Sequence, residues 1–256
     1  NDSTGNWTES VIHSGASSGN SKDYSVRDIQ LYRDKVTNVD RLFVSVGKLG
    51  VFSGVFDSAF PNEIQFDDVS ETGPLNVRSL SIIEANNTML FSSGKKIYQR
   101  IDGDIPDYAI VHDMSDLYST EISELLDGIT GMTRVKNKTS GEDSVLFAWL
   151  PDEYSKACMY RLDFNSTSGD YSRVKEKCFN DLISEYLNDS PVYFLLAAYN
   201  KIKPLTNPEN NEELYFFGFN IWVGGNQWPV WGGNALGGFY RGAVYGVRDS
   251  NGNYIL

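Results

Sequence analysis

The sequence predicts an all-β chain: a β-propeller-like repeat of four-stranded sheets, of about four to five blades, carrying two short helices. Three observations predict it. A strand, tight turn and second strand are legible at 88–100, T-M-L-F-S-S-G-K-K-I-Y-Q-R, with the chain reversing at Ser93 and Gly94. The same unit recurs at 41–52, R-L-F-V-S-V-G-K-L-G-V-F, where Leu42, Phe43, Gly47 and Lys48 fall as Leu90, Phe91, Gly94 and Lys95 do. A further strand-like run precedes each unit, V-R-D-I-Q-L-Y at 26–32 and V-R-S-L-S-I-I at 77–83. The offsets agree, with 51 positions from Val26 to Val77 and 48 from Leu42 to Leu90. Order and spacing match as well as composition, which favours a repeat over the alternative, a β-sandwich or barrel whose hairpins merely share a small strand alphabet.

Taken in order, residues 1–23 are rich in Ser, Gly and Asn and read as a loosely held N-terminal tail. Residues 24–256 read as a single repeat domain. Its first two copies end near Asp102, and a helical insertion follows at 103–130. Within that insertion D-L-Y-S-T-E-I-S-E-L-L-D at 116–127 places Leu117, Ile122, Leu125 and Leu126 on one helical face, with Gly128 as the stop. The third copy is G-M-T-R-V at 131–135, S-V-L-F-A-W-L at 144–150 and C-M-Y-R-L-D-F at 158–164. A second helix is expected at 172–187, where Val174, Cys178, Phe179, Leu182 and Tyr186 recur at helical spacing. The fourth copy is P-V-Y-F-L-L-A-A-Y at 191–199, E-L-Y-F-F-G-F-N-I-W-V at 213–223 and G-A-V-Y-G-V at 242–247. Asn251-Gly252 then reads as a type I′ hairpin turn.

Composition bounds the partners. A chain of 256 residues with 13% aromatic residues and 23 Gly supports a large all-β core with many turns. The net charge of −12 argues against nucleic acid or an anionic membrane, since either calls for a basic patch. No apolar run reaches the ~18 residues of a membrane span.

Two features point to an extracellular compartment. N-x-S/T sequons occur at Asn1, Asn6, Asn86, Asn137, Asn165 and Asn188, mostly between predicted strands, where a glycan projects into solvent. The two cysteines, Cys158 and Cys178, are expected to form a disulfide, and closing that loop stabilises by roughly 3 kcal/mol.

Catalytic patterns are sparse. With only His13 and His112, His-ligated metals and His-activated nucleophiles are poorly supported, and neither a cofactor nor a metal is expected. G-K-K at 94–96 is a hairpin turn and not a phosphate loop. A carbohydrate-active enzyme would use paired carboxylates, for which Asp102 with Asp104, or Asp67 with Asp68, are the candidates, although all four read as solvated turn residues. Asp249, Asn251 and Asn253 alternate like the opening of a calcium loop, yet Tyr254 stands where its glycine belongs.

The candidate binding surface is I-W-V-G-G-N-Q-W-P-V-W-G-G-N-A-L-G-G-F-Y at 221–240. There Trp222, Trp228 and Trp231, with Asn226, Asn234 and Tyr240, offer flat apolar faces beside polar handles, suited to a sugar ring or a protein anchor. The competing use of these tryptophans is to fill the core where the repeat closes. The chain resembles extracellular propeller domains in general, and L-F-A at 146–148 followed by C-M-Y-R-L at 158–162 resembles one repeat of semaphorin-type domains, without their dense cysteine framework. The expectation is a secreted, N-glycosylated protein that binds an extracellular protein or glycan, in an oligomer or larger assembly. The alternatives are a carbohydrate-active enzyme and a lectin using the Trp loop.

Overall fold

The structure is a computed structural model that describes residues 25–56, 63–67, 70–73, 75–83, 86–103, 105–117, 128–137, 140–150, 158–178, 193–206, 213–224, 238–248 and 254–255. These residues form four antiparallel four-stranded sheets, each a meander of consecutive strands. The chain divides into two compact units, Asn1–His112 and Asp113–Leu256.

The first sheet is β1 (Val26–Arg33), β2 (Asp40–Val46), β3 (Gly50–Phe56) and β4 (Ile64–Phe66). The second is β5 (Val77–Ile83), β6 (Thr88–Ser93), β7 (Lys96–Ile101) and β8 (Asp107–Asp113). Gly47 and Gly94, aligned by the sequence repeat, have φ of 41° and 55°, the left-handed conformation a tight reversal needs. Gly94-Lys95 makes a two-residue hairpin, whereas Gly47–Leu49 widens into a 3-10 turn. Strand β6 is buried from Thr88 to Ser92 because both of its faces are covered. Tyr32, Phe43, Val51, Val77, Leu80, Met89 and Phe91 form one core that spans both sheets. Phe91 stacks on Tyr98, its register partner on β7, with ring centroids 5.1 Å apart, the cross-strand aromatic pairing that stabilises sheets.

The two sheets of this unit meet along their first strands, β1 and β5. A hydrogen-bonded clamp fixes the junction: the Asp28 carboxylate accepts from the Ser79 hydroxyl and the Leu80 N–H, both at 2.9 Å. The second unit repeats the plan. Its sheets are β9 (Gly128–Lys136), β10 (Asp143–Leu150), β11 (Cys158–Phe164) and β12 (Tyr171–Cys178), then β13 (Tyr193–Thr206), β14 (Glu213–Gly224), β15 (Gly238–Arg248) and β16 (Tyr254–Ile255). Here too first strand lies beside first strand, β9 against β13. Four-stranded meanders set side by side through their first strands are the blade arrangement of a β-propeller.

Two sequence expectations are corrected. The helix expected at 172–187 is strand β12 as far as Cys178, because registered pairing with β11 and a disulfide hold it extended; residues 179–187 lie outside the described set. Residues 107–113, assigned from sequence to an insertion, are β8, the fourth strand of the second sheet. Of the helix expected at 116–127, Ser115–Leu117 is a 3-10 turn and residues 118–127 lie outside the described set. The strands flanking Asn251-Gly252 pair as expected, Arg248 with Tyr254, while the turn itself is not among the described residues. Residues 1–24 are likewise outside it.

Gly50 shows how closely one connection approaches a strand. Its φ is 102°, and a Cβ there would meet the Gly73 carbonyl oxygen at 2.0 Å and the Ser70 hydroxyl oxygen at 2.3 Å. The 70–73 turn is tied to β3 at this point, with Glu71 N–H donating to the Val51 carbonyl (2.8 Å) and Val51 N–H to the Thr72 hydroxyl (3.0 Å). Gly50→Ala is therefore expected to cost more than about 1 kcal/mol, since both backbone conformation and space are lost. Equilibrium urea unfolding measures it, and a variant as stable as the parent would show that the turn does not sit against β3.

Candidate functional site

The first unit carries a cleft of about 320 Å³, lined among others by Asp34, Arg41, Asp67, Glu71, Arg100 and Pro106. Its floor is built around Arg100, whose side chain is only 2% exposed. Strand β7 brings Arg100 to the cluster, and three carboxylates converge on it from separate segments. Asp34, from the β1–β2 turn, faces Nη1 at 2.9 Å; Glu71, from the β4–β5 connection, faces Nε at 3.1 Å; Asp102 follows β7 and also pairs with Nη1. A buried guanidinium needs such partners, because desolvating a charge without them costs several kcal/mol. The Arg100 cation also lies over the rings of Phe43 and Tyr32, at 5.2 and 5.8 Å from their centroids.

Two tyrosines complete the shell. The Tyr32 hydroxyl donates to Asp102 at 2.6 Å, and the Tyr108 hydroxyl to Glu71 at 2.8 Å. Burial raises both phenol pKa values, reinforced by those carboxylate contacts, so both remain donors at any physiological pH. Burial also works against the charge on Asp34. It is outweighed by the N–H groups of Thr37 and Val36 and by Arg100, which hold the carboxyl below its ordinary value. Burial opposes the Arg100 charge too, but Glu71, Asp34 and Asp102 together push its pKa up.

Toward the cleft mouth Asp67, 58% exposed, accepts from Arg41 (3.2 Å) and the Ser53 hydroxyl (2.8 Å). Ile105 is 88% exposed at the rim, beside Pro106. The site thus combines fixed acceptors, fixed donors and a small apolar wall.

A related arrangement occurs in the second unit. Arg161 on β11 holds Asp163 through both carboxylate oxygens, Nε to Oδ1 at 2.5 Å and Nη2 to Oδ2 at 3.0 Å, and pairs with Glu176 on β12. Asp163 also takes the Ser144 hydroxyl at 2.6 Å. Although burial opposes its charge, these donors keep its pKa low. The shared signature is Arg-x-Asp with its Arg on the third strand of a sheet, R-I-D at 100–102, whose Asp falls just past β7, and R-L-D at 161–163, within β11. That pattern was the available sequence signal for the cluster; Glu71 and Asp34 had none.

The residues singled out from sequence fall differently. Asp102 is not a solvated turn residue: its side chain is 5% exposed and spent on Arg100 and Tyr32. Asp67 is exposed as expected, while Asp68 and Asp104 lie outside the described residues. Trp222 on β14 pairs in register with Phe239, and Tyr240 on β15 with Ile221, so the fold brings these two positions onto neighbouring strands. Trp228, Trp231, Asn226 and Asn234 are outside the described set, as are Asn1, Asn6 and Asn188. Cys158 and Cys178 form the expected disulfide, directly opposite each other on β11 and β12. Among the described residues no group of three or more His, Cys, Asp or Glu is disposed to hold a metal ion, and no helix is long and apolar enough to cross a membrane.

No protein-family model matches the chain, and no curated protein matches it in sequence. Among solved structures it is similar to the Dos1 propeller, at 10% identity over 78% of this chain and 44% of that one, with a TM-score of 0.39. The chain therefore spans less than half the length of that propeller chain. It is also similar to an endo-1,4-β-xylanase from Bacteroides thetaiotaomicron, at 13% identity over 96% of this chain and 82% of that one, with a TM-score of 0.36. Likenesses at this level say nothing about what the chain does.

Proposed function

We propose that the protein is an extracellular recognition protein, working by binding, and that the cleft of its first unit takes the hydroxyl groups of a saccharide. The observation that carries this reading is the state of the cleft's charged groups: each described carboxylate in the lining already stands against a guanidinium. Arg100 is shared by Asp34 and Glu71, and Arg41 holds Asp67. Such groups present hydrogen-bond acceptors and donors in fixed positions, which suits a polyhydroxylated ligand. Proton transfer makes a different demand, a carboxyl with its pKa raised toward neutrality, and that of Asp34 moves the other way. The compartment is supported by the disulfide and by the sequons at Asn137 and Asn165, both in turns between strands.

A thermal-shift and titration-calorimetry panel of neutral mono- and oligosaccharides tests the cleft. Binding is expected in the millimolar range or tighter, and Asp67→Ala with Arg41→Ala is expected to weaken it at least tenfold without lowering the melting temperature of the free protein. Binding that is indifferent to both changes would move the site to the Trp loop at 221–240. No binding of any saccharide would sink the proposal.

A further inference from the structure

Three turns of the described chain share one template. In 34–39 the Asp34 N–H donates to the Val39 carbonyl (3.0 Å), the Asn38 N–H donates back to the Asp34 carbonyl (2.9 Å), and Asn38 has φ 57°. In 137–142 the same two bonds join Asn137 with Glu142 (2.8 Å) and Gly141 with Asn137 (2.7 Å), and Gly141 has φ 74°. In 165–170 they join Asn165 with Asp170 (2.9 Å) and Gly169 with Asn165 (2.8 Å), and Gly169 has φ 76°. At the head of each turn a side-chain Oδ1 accepts backbone N–H groups: Val36 and Thr37 on Asp34, Ser140 on Asn137, and Thr167 and Ser168 on Asn165.

The head residue decides what the turn does. In the first unit it is an aspartate, 1% exposed, whose second oxygen holds Arg100. In the second unit it is the asparagine of a sequon, in the closely matching strings N-K-T-S-G-E and N-S-T-S-G-D. With Oδ1 occupied by the backbone, the atom left for a glycan bond is the amide nitrogen, and the whole of 165–170 is exposed. Asn137 is half-buried and also hydrogen-bonds Asp163, so its nitrogen is less open. The two turns adjoin at one end of the third sheet, where the Ser166 N–H donates to Glu142 Oε1 at 3.1 Å. Asn86 contrasts with both. Its Oδ1 is buried without a hydrogen-bond partner, and Thr88, the hydroxyl residue of its sequon, is 2% exposed and accepts from Lys35 Nζ at 3.2 Å.

We infer that Asn165 and Asn137 form a paired N-glycan site at one end of the third sheet, with Asn165 the more fully occupied, and that Asn86 stays bare in the folded protein. The inference rests on the extracellular reading, since the glycan must be added in a secretory pathway. A glycan at Asn86 would grow from a half-buried side chain whose Oδ1 is already buried, beside a sequon threonine only 2% exposed, so molecules bearing it are expected to fold poorly.

The test is secretion of the whole chain from insect cells behind a cleavable leader, followed by glycopeptide mass spectrometry before and after enzymatic deglycosylation in heavy-oxygen water. Asn165 is expected to be occupied in most molecules, Asn137 in a smaller share, and Asn86 in almost none. Thr167→Ala removes the Asn165 sequon while keeping the asparagine that heads the turn. It is expected to remove one glycan and leave the melting temperature of the deglycosylated protein unchanged. Asn165 bare while other sequons are occupied, or Asn86 occupied in the monodisperse fraction, would overturn the inference and leave the extracellular reading standing. Chains with no glycan at any sequon and with free thiols would overturn both.

Discussion

Replacing Arg100 with methionine is expected to destabilise the first unit by about 3–5 kcal/mol, the typical cost of stripping one partner from a buried ion cluster. Methionine restores much of the volume, so the loss reports charge and hydrogen bonding more than a cavity. What remains is Asp34, Glu71 and Asp102 drawn together with no cation among them, their side chains 2%, 10% and 5% exposed. The dependence on pH then changes sign. In the parent, Asp34 has a depressed folded pKa, so its contribution is complete above the ordinary value of 3.8 and is lost as pH falls through the lower folded value. In the variant, crowding and burial favour the protonated acids, so stability rises as pH is lowered from 7 toward about 5, where the parent's contribution is flat. Urea unfolding followed by circular dichroism at a series of pH values gives both slopes. A variant that loses less than about 1 kcal/mol with the parent's pH profile would mean that water already screens the cluster.

How far the sequence foretold this arrangement depends on what each residue answers to. The repeat was legible because strand order, turn glycines and spacing recur. Val26-Arg27-Asp28 and Val77-Arg78-Ser79 occupy equivalent places, and the fold sets those places side by side, with Ser79 bonded to Asp28. The Arg100 cluster was not legible, because Asp34, Glu71 and Asp102 come from three connections whose meeting is decided by tertiary packing. A turn aspartate reads as solvated until the strand that covers it is known, which is why Asp102 was misjudged. Strand β12 was misread for another reason: apolar residues placed by chance can satisfy helical spacing, and only its pairing with β11 overrides that period. The sequons were visible as motifs, but their accessibility was not. Asn86 and Asn165 carry the same signature, and burial alone separates them.

The double variant Cys158→Ser, Cys178→Ser is expected to lose about 3 kcal/mol, from the loop that the disulfide closes in the unfolded chain. The sulfurs join directly opposite residues of β11 and β12, at the end of the hairpin away from the 165–170 turn. Native pairing already holds these strands together, so the folded state gains little; the effect falls on the unfolded ensemble, which regains the freedom of a segment spanning 20 positions. A loss of that size lowers the melting temperature by about 10 °C. Differential scanning calorimetry can assign it, because the disulfide lies in the second unit and Arg100 in the first. The cysteine variant is expected to lower one transition and Arg100→Met the other. With both residues at most 8% exposed, reductant added to the folded parent should act slowly, at the rate at which the hairpin opens. An unchanged melting temperature in the double variant would show that no bond restricts the unfolded chain, as when the two thiols are not joined, and would remove the strongest structural reason for placing the chain in an oxidising compartment.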